Sequence, residues 1–381
     1  MLPMNIVTDS EVQYEIKLLR DDGTRLKTLD SVEKFEYTNV VNGLGDWSLT
    51  LDYGFDKTLI DFYRRIEFWR RPPGGMLSLD FMGLLLDIEQ WQDDNGNERL
   101  RIGGESFNHI LSGRQIAYYA GHAQADQTDQ ADDLMYNIVS YNLGSNATTA
   151  NGRKLAGNLS STYFSVEGNN GLGPSISKAF SYRSVFEVLV EIASAARTAG
   201  TEVYFMVERY DDNKVVFRTK IDQPGNVRTS DLANGLTFGT TFGTLKNPRL
   251  LRSVRSQINV GYGLGQNEGA AREVQTSEDT TRSGASLWSK REGKIWATLD
   301  ASAASVLDAA DQLITENRIG QRFTGDLVNR AGALYGKDWG FGDRITISEF
   351  GYQFEALIRA ATVSVAGDKK EKITSHIEAY L

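Results

Sequence analysis

The alternation of apolar and polar positions is clearest between Phe81 and Ile116. Met82, Leu84, Leu86 and Ile88 fall on one side of a period-two pattern, with Asp87 and Glu89 on the other, which predicts a half-buried strand. Asn95-Gly96 follows among polar neighbours, and this pair favours a type I′ hairpin, whose two turn residues both take positive φ. The return strand sets Leu100 and Ile102 against Arg99 and Arg101, and Gly103-Gly104 is expected to end it. Phe107, Ile110, Leu111 and Arg114 then follow helical spacing. The same period-two reading gives strands at Tyr14, Ile16 and Leu18, at Trp47, Leu49 and Leu51, and at Ile66, Phe68 and Arg70. Asp22-Gly23, Gly45-Asp46 and Pro72-Pro73-Gly74-Gly75 supply the turns. Strands punctuated this regularly predict a barrel or sandwich, and Gly83 inside a strand predicts a bulge or barrel corner.

From Ala117 to Phe180 the chain is polar, with one helix marked by Leu134, Ile138 and Tyr141; Thr128 or Asp129 is positioned to cap it and Gly144 to end it. Residues 152–174 lack periodicity and read as surface loops. Ser184 and Glu187 have capping-box spacing ahead of an apolar stripe of Val185, Val188, Leu189, Ile192 and Ala196, and Gly200 suits the left-handed position after a helix. Val203–Val207 and Val215–Thr219 flank Asp211-Asp212-Asn213 as a hairpin. This block reads as a small α+β unit inserted between two β-rich parts. Beyond Leu245, Val254, Ile258 and Val260 alternate into a glycine cluster. Ala303, Val306, Leu307, Ala310, Leu313 and Ile314 then mark the longest amphipathic helix. After Tyr335 the pattern is β again, through Ile345, Ile347, Val363, Val365 and Ile373, with turns at Gly351 and Gly367-Asp368. The resulting division is 1–116, 117–245 and 246–381, with no repeat of the solenoid type.

Composition narrows the chemistry. A length of 381 residues favours two to four domains, and 37 glycines against 6 prolines suggest turns and bulges rather than linkers. The absence of cysteine excludes disulfides, zinc–thiolate sites, iron–sulfur clusters and cysteine nucleophiles. No apolar run approaches the ~20 residues of a membrane span, and Met1 to Glu11 has neither the basic start nor the apolar core of a signal peptide. A net charge of −9 argues against a general nucleic-acid binder.

Gly261, Gly263, Gly265 and Gly269 follow a strand, where bare amides can cradle an anion, but their spacing departs from the dinucleotide fingerprint and no Lys-Ser/Thr pair follows. A structural bend is the expectation, with Arg272 and Val274 opening another strand. His109, His122 and His376 are scattered, outside any His-Glu-x-x-His arrangement. The adjacent acids Asp93-Asp94, Asp132-Asp133 and Asp211-Asp212 sit in turns and at a helix start, where Asp caps and turns chains; a glycosidase needs carboxylates that face each other across a substrate. No Gly-x-Ser-x-Gly elbow is present. Trp47, Trp69, Trp91, Trp288, Trp296 and Trp339 are of the type that stacks on sugars, and most are expected in the core or at interfaces. No catalytic, cofactor-binding or metal-binding residue is assigned.

Two stretches together resemble a known family. One is Phe81-Met82-Gly83, the hairpin, Ile102-Gly103-Gly104-Glu105-Ser106-Phe107, Leu111 and Arg114-Gln115-Ile116. The other is Tyr335-Gly336-Lys337-Asp338-Trp339 and Gly342-Asp343-Arg344-Ile345-Thr346-Ile347, with a β-rich close through His376. Val260-Gly261-Tyr262-Gly263 and Glu268-Gly269-Ala270-Ala271-Arg272 lie between them. In order and spacing these resemble the baseplate-hub or tail-hub proteins of long-tailed, siphovirus-type bacteriophages. The polar region 117–174 and the stretch 276–289 have no counterpart in the resemblance.

The resemblance implies an α+β, β-rich fold of two tail-tube-like β-barrel domains with an inserted α+β domain. It implies a virion structural protein at the tail tip: a homotrimer whose six barrels form a pseudo-sixfold ring joining the sixfold tail tube to the threefold tip. It implies a part in host attachment and DNA ejection, with no enzymatic activity and no cofactor. The implied partners are further copies of itself, the distal tail protein, the tape-measure protein and tail-fibre or receptor-binding proteins, while genome DNA passes without specific binding. Related hubs carry a fused peptidase or lysozyme domain after the core; a chain that stops at Leu381, directly after predicted strands, is expected to lack one. The alternatives are a hexameric distal tail or tube-adaptor protein, a tail-tip glycan or cell-wall hydrolase, and a set of carbohydrate-binding modules.

Overall fold

The alternating segments fold into antiparallel sheet in a computed structural model that describes residues 6–8, 11–30, 32–51, 54–117, 125–180, 182–233, 235–265, 268–297, 303–318 and 320–379. The first part holds β1 (Ile6–Val7), β2 (Gln13–Leu19), β3 (Arg25–Leu29), β4 (Val32–Val40), β5 (Asp46–Leu51), β6 (Arg65–Arg71), β7 (Ser78–Gln92), β8 (Glu98–Ser106) and α1 (His109–Ser112). The middle holds β9 (Ala125–Gln130), α2 (Ala131–Asn142), β10 (Phe164–Val166), β11 (Ser175–Phe180), α3 (Val185–Thr198), β12 (Val203–Arg209), β13 (Val215–Ile221), β14 (Val227–Arg228) and β15 (Thr237–Phe238). The last part holds β16 (Leu245–Ser253), β17 (Val260–Leu264), β18 (Val274–Glu278), α4 (Thr280–Ser283), β19 (Glu292–Trp296), α5 (Ala303–Glu316), β20 (Gly320–Leu327), β21 (Arg344–Glu349), β22 (Tyr352–Val365) and β23 (Glu371–Ala379).

The molecule is β-rich, but among the described residues none of its sheets closes into a barrel. Where the family resemblance implied two barrels, strands from both ends of the chain share one open thirteen-stranded sheet of order β1-β2-β6-β7-β8-β5-β4-β22-β21-β14, with β3 on β2, β15 on β21 and β23 on β22. The long strand β22 makes the join. Its first half pairs with β21 and its second half with β4, from Ala360↔Val40 to Val365↔Phe35. Strands β14 and β15 run parallel to β21 and bring Phe238, fully buried, into the main core. The stretch 117–245 therefore contributes to the large sheet as well as to the second core.

That second core collects Leu134, Ile138, Leu189, Ile192, Phe205 and Phe217 from α2, α3, β12 and β13, and Met82 of β7 joins it. Met82 can reach it because β7 is buried on both faces from Phe81 to Leu85, with Phe81 and Leu85 turned into the main core. The simple alternation expected of this strand breaks at a bulge between Leu85 and Asp87, after which Ile88 rather than an odd-numbered residue packs against the main core.

Gly83 and Gly104 serve close packing around this bulge. A Cβ at Gly83 would lie 2.6 Å from the Trp47 indole nitrogen, and one at Gly104 would lie 1.9 Å from the Leu84 carbonyl oxygen. The strand accordingly continues through Gly103-Gly104 to Ser106 instead of ending there. At the hairpin tip only Gly96 takes positive φ (79°). The turn is not type I′, because Asp93 captures the amides of Asn95 (3.0 Å) and Asn97 (2.9 Å) and widens it to five residues.

Two helix starts also differ from expectation. Thr128 and Asp129 belong to β9, paired with β11, and the first amides of α2 donate instead to the carbonyls of Pro174 and Leu172. The Ser184 hydroxyl makes no cap; it reaches the Ser112 carbonyl at 3.5 Å, and the Val185 amide donates to the Arg114 carbonyl at 2.9 Å. Docking α3 onto α1 thus does the work expected of the capping box. Among the described residues no helix is long and apolar enough to cross a membrane.

Candidate functional site

Within the glycine cluster Gly261 and Gly263 form a packing surface, whereas Gly269, at φ 59°, lies in the connection that turns the chain back into the antiparallel β18, as the expected bend and following strand required. β17 lies between β18 and β19, so its amides and carbonyls face a ladder on both edges. Gly261 and Gly263 lie under α5, where a Cβ would come within 2.7 Å of the Ala310 carbonyl oxygen and 2.1 Å of that of Val306. Only glycine lets the helix settle this close, burying Val306, Ala310 and Ile314. A strand engaged on both edges and covered on one face cannot wrap a phosphate.

The other candidates disperse. His109 pairs locally with Glu105 at 2.8 Å, His376 is exposed on β23, and His122 lies outside the described residues. Among the described residues no three His, Asp or Glu side chains converge to hold a metal. Asp132 accepts amide hydrogens from Asn170 and Leu172, and Asp133 from Gly171, so this pair closes the loop over α2; burial raises the Asp132 pKa. Asp93-Asp94 and Asp211-Asp212 form hairpin tips. Trp47 and Trp339 are core residues, and the Trp69 indole lies between the Lys17 ammonium at 4.1 Å and the Arg209 guanidinium at 5.3 Å. Trp91, Trp288 and Trp296 are exposed.

The strongest electrostatic perturbations gather instead inside the main sheet. Arg70 of β6 is 2 % exposed and holds Glu371 of β23, 3 % exposed, through Nε and Nη2 at 2.9 and 3.0 Å, while Nη1 donates to the Tyr335 carbonyl at 2.6 Å. The Tyr14 hydroxyl bonds to Glu371 and also receives Arg70 Nε at 3.1 Å. Next to it, buried Tyr37 and Tyr335 donate their hydroxyls to Asp80 at 2.5 and 3.1 Å. Burial drives all three tyrosines well above the ordinary phenol range and raises Asp80. Burial also pulls Arg70 down, but the negative charge around it wins and its pKa rises. Perturbed groups mark catalytic sites when they line a cleft. Asp80 also borders the recess between β7 and β12, but its carboxylate is taken up by Tyr37 and Tyr335, and the groups together tie the first strands of the chain to the last. Their signal in the sequence is Arg70 itself, which shares the inward register of Ile66 and Phe68.

A second ionic seam joins the main sheet to the middle of the chain. Arg65 and Glu67, both nearly inaccessible, pair with each other; Arg209 of β12 reaches Glu67 at 3.4 Å, and Arg65 donates to the Asp212 carbonyl at 3.3 Å. Asn42 adds two bonds to β12, to the Val203 carbonyl and from the Phe205 amide.

Two recesses stand out on the surface of the described residues. One of about 280 Å³ lies between β7, the β4–β5 turn and β12. The other, about 1050 Å³, separates α3 and β11 from α5 and β18. In the larger one Glu191 is held by Lys178 and Arg183, Asp279 by Arg282, and Glu278 by Lys290. Asp308 and Asp311 of α5 line the same recess, and Asp311 accepts the Ser277 hydroxyl.

Known proteins share this fold. A family profile described as Siphovirus ReqiPepy6 Gp37-like protein matches residues 15–377. No curated protein sequence matches. The 43 kDa tail protein of prophage MuSo2 from Shewanella oneidensis is 13% identical, with a TM-score of 0.57 over 96% of this chain and 98% of that one. The tail protein from Neisseria meningitidis MC58 is 11% identical, with a TM-score of 0.55 over 96% of each chain. The E. coli c3393 protein, described as a component of the type VI secretion system with structural similarity to the T4 bacteriophage tail proteins gp27 and gp5, is 10% identical, with a TM-score of 0.50 over 96% of this chain and 77% of that one. At these identities the likeness is one of fold, and it extends over nearly the whole chain.

Proposed function

The chain belongs to the Siphovirus ReqiPepy6 Gp37-like protein family, and from that premise we propose that it is the hub of a bacteriophage tail tip, three copies of which close into the ring that joins the sixfold tube to the threefold tip. The observation that carries this reading is the whole-chain likeness to phage tail proteins, 96% of this chain against 98% of the MuSo2 protein. In this reading the β-rich ends, 1–116 and 246–381, together with β14 and β15, supply the wall, and the open edges of the large sheet meet neighbouring subunits, while the rest of 117–245 decorates the outside. The distal tail protein lies on one side of the ring, and the tape-measure and receptor-binding proteins on the other. The role is mechanical rather than enzymatic, in attachment and DNA ejection, and the polar groups most displaced in pKa are spent on holding the sheet together.

A genome conduit must avoid multiple phosphate contacts, which create affinity through counterion release. With a net charge of −9 the ring is proposed to present more Asp and Glu than Lys and Arg to its lumen. Imaging of assembled tails tests the whole reading: three copies per ring with an acidic lumen is the expected result. A six-copy ring would transfer the role to a distal tail protein, and lysis of host cell walls by the purified chain in a zymogram would restore the hydrolase alternative.

A further inference from the structure

Between Asp231 and Glu268 the chain has no acidic residue, and its only charges are Lys246, Arg249, Arg252 and Arg255. All four lie on β16 or directly after it, and all four are exposed. Among the described residues none of them has a carboxylate within ion-pair distance; Arg252 rests over the Tyr352 ring at 4.9 Å, which leaves its charge uncompensated. The one carboxylate of the paired strand, Asp326 of β20, stands opposite Lys246 and accepts the Asn247 side-chain amide at 2.9 Å. β16 pairs with β20 alone, so its other edge is open. Leu250, opposite buried Phe323 and packed on the main core, holds that edge in place. Edge strands are usually blunted, and Pro248 with the bulge between Lys246 and Arg249 does this for the first half of β16. From Arg249 to Ser253 the register is regular. Leu251, 56 % exposed, lies between the two arginines of this half.

We propose that this edge takes up an extended acidic segment of a different protein as an added strand. Three observations select that occupant. An open edge offers amide donors and carbonyl acceptors in alternation, and another backbone satisfies both, whereas the phosphate oxygens of a nucleic acid or a lipid only accept. The uncompensated cations call for carboxylates at the same place. A second copy is a poor complement: β16 against β16 opposes like charges, and at the open edge of β18 Glu278 and the adjacent Asp279 are already held by Lys290 and Arg282. Arg249 and Arg252 are three positions apart and so lie on opposite faces of the ribbon. The incoming strand meets them with two acids three residues apart, and sets an apolar side chain against Leu251. Cations at this edge therefore repel another β16 and admit an acidic strand. Such docking is independent of the number of copies in the ring.

The probe is a fluorescein-labelled peptide, Glu-Val-Thr-Glu-Val-Thr-Glu, read by anisotropy against the full chain. Binding is expected to weaken as salt rises and to fall about fivefold or more in the double variant Arg249→Ser with Arg252→Ser. Both positions are exposed, so the double variant is expected to keep the wild-type urea midpoint. Methylating either the odd or the even backbone nitrogens of the peptide separates an added strand from loose charge attraction on the wild-type chain. One of the two methylated peptides is expected to lose binding and the other to keep it, because only alternate amides face β16. Binding that neither methylation changes, equal binding to the double variant, or no binding at about 1 mM peptide overturns the inference. Tighter binding of a 15-residue oligothymidylate that depends on Arg249 and Arg252 assigns the strand to nucleic acid and overturns it as well. Self-association of the wild-type chain that the double variant loses assigns the edge to a second copy, with the same consequence.

Discussion

Replacing Arg70 by methionine tests whether the buried ionic cluster fastens the two ends of the chain. The substitution keeps an unbranched stem of similar length and removes every donor. Glu371, 3 % exposed, loses both of its guanidinium bonds, at 2.9 and 3.0 Å, and the Tyr335 carbonyl loses a donor at 2.6 Å. Stranding one member of a buried pair costs about 3–5 kcal/mol, and an unsatisfied carbonyl adds about 1–3 kcal/mol. Protonation of the stranded carboxyl relieves part of this, so Arg70→Met is expected to cost about 4 kcal/mol. Removing both charges, in Arg70→Met with Glu371→Leu, should restore most of the loss, because apolar replacement of a buried pair is often near neutral. The assay is equilibrium urea unfolding followed by tryptophan fluorescence. Trp339, 1 % exposed and edge-on to Tyr335 at 4.9 Å, reports on the cluster directly. A coupling between the two substitutions of about 2 kcal/mol or more is expected. Strict additivity, or a loss below about 1 kcal/mol for Arg70→Met, would refute the idea that this contact closes the sheet.

Gly263→Val should lift α5 from β17, since its Cβ alone would lie 2.1 Å from the Val306 carbonyl oxygen; hydrogen exchange in 303–316 is expected to rise, whereas Gly269→Ala, with nothing within 4 Å but φ of 59°, should cost only about 1 kcal/mol. Burial pushes the Glu191 pKa up, but Lys178 and Arg183 outweigh it and hold it below its ordinary value. That stability is therefore present above the unfolded pKa of about 4.3 and is lost as pH falls through the lower folded value; Glu191→Gln should flatten the acid limb of a stability–pH curve. Deleting 117–245 should abolish folding, measured by loss of cooperative unfolding, because it removes the strands that pair with β21 together with buried Phe238. A shorter deletion that keeps 223–245 should leave the large sheet cooperative while exposing Met82 to oxidation.

Local structure was largely legible. The alternation at Tyr14, Ile16 and Leu18 and at Ile345 and Ile347 gave real strands with those residues buried, and the stripe of Val185, Val188, Leu189 and Ile192 gave α3. What failed depended on partners distant in sequence. Period two cannot show that β7 is buried on both faces, since that requires knowing that the second core will cover Met82. Capping signals cannot show that an amide will be satisfied by the segment following another helix, as at Val185. Nor can strand count show closure: β22 gives the second half of one edge to β4, so the two β parts merge into one sheet where two separate barrels were expected.

The candidate chemistry illustrates the same division. Acid pairs and the glycine cluster looked like sites because sequence shows residue types, while the partners that consume them lie elsewhere: amides at 170–172 for Asp132 and Asp133, and the underside of α5 for Gly261 and Gly263. Arg70 was the opposite case, a charge whose position in register with Ile66 and Phe68 already required a buried partner. That partner, Glu371, lies 301 residues away. A charge in core register is thus a statement about long-range closure: it demands an opposite charge at the same depth, and here that demand is met only when the last strand of the chain returns to the sheet begun by the first. In a protein whose two ends build one wall, such a pair makes the wall cooperative, because neither end can ionise its buried group favourably until the other is in place.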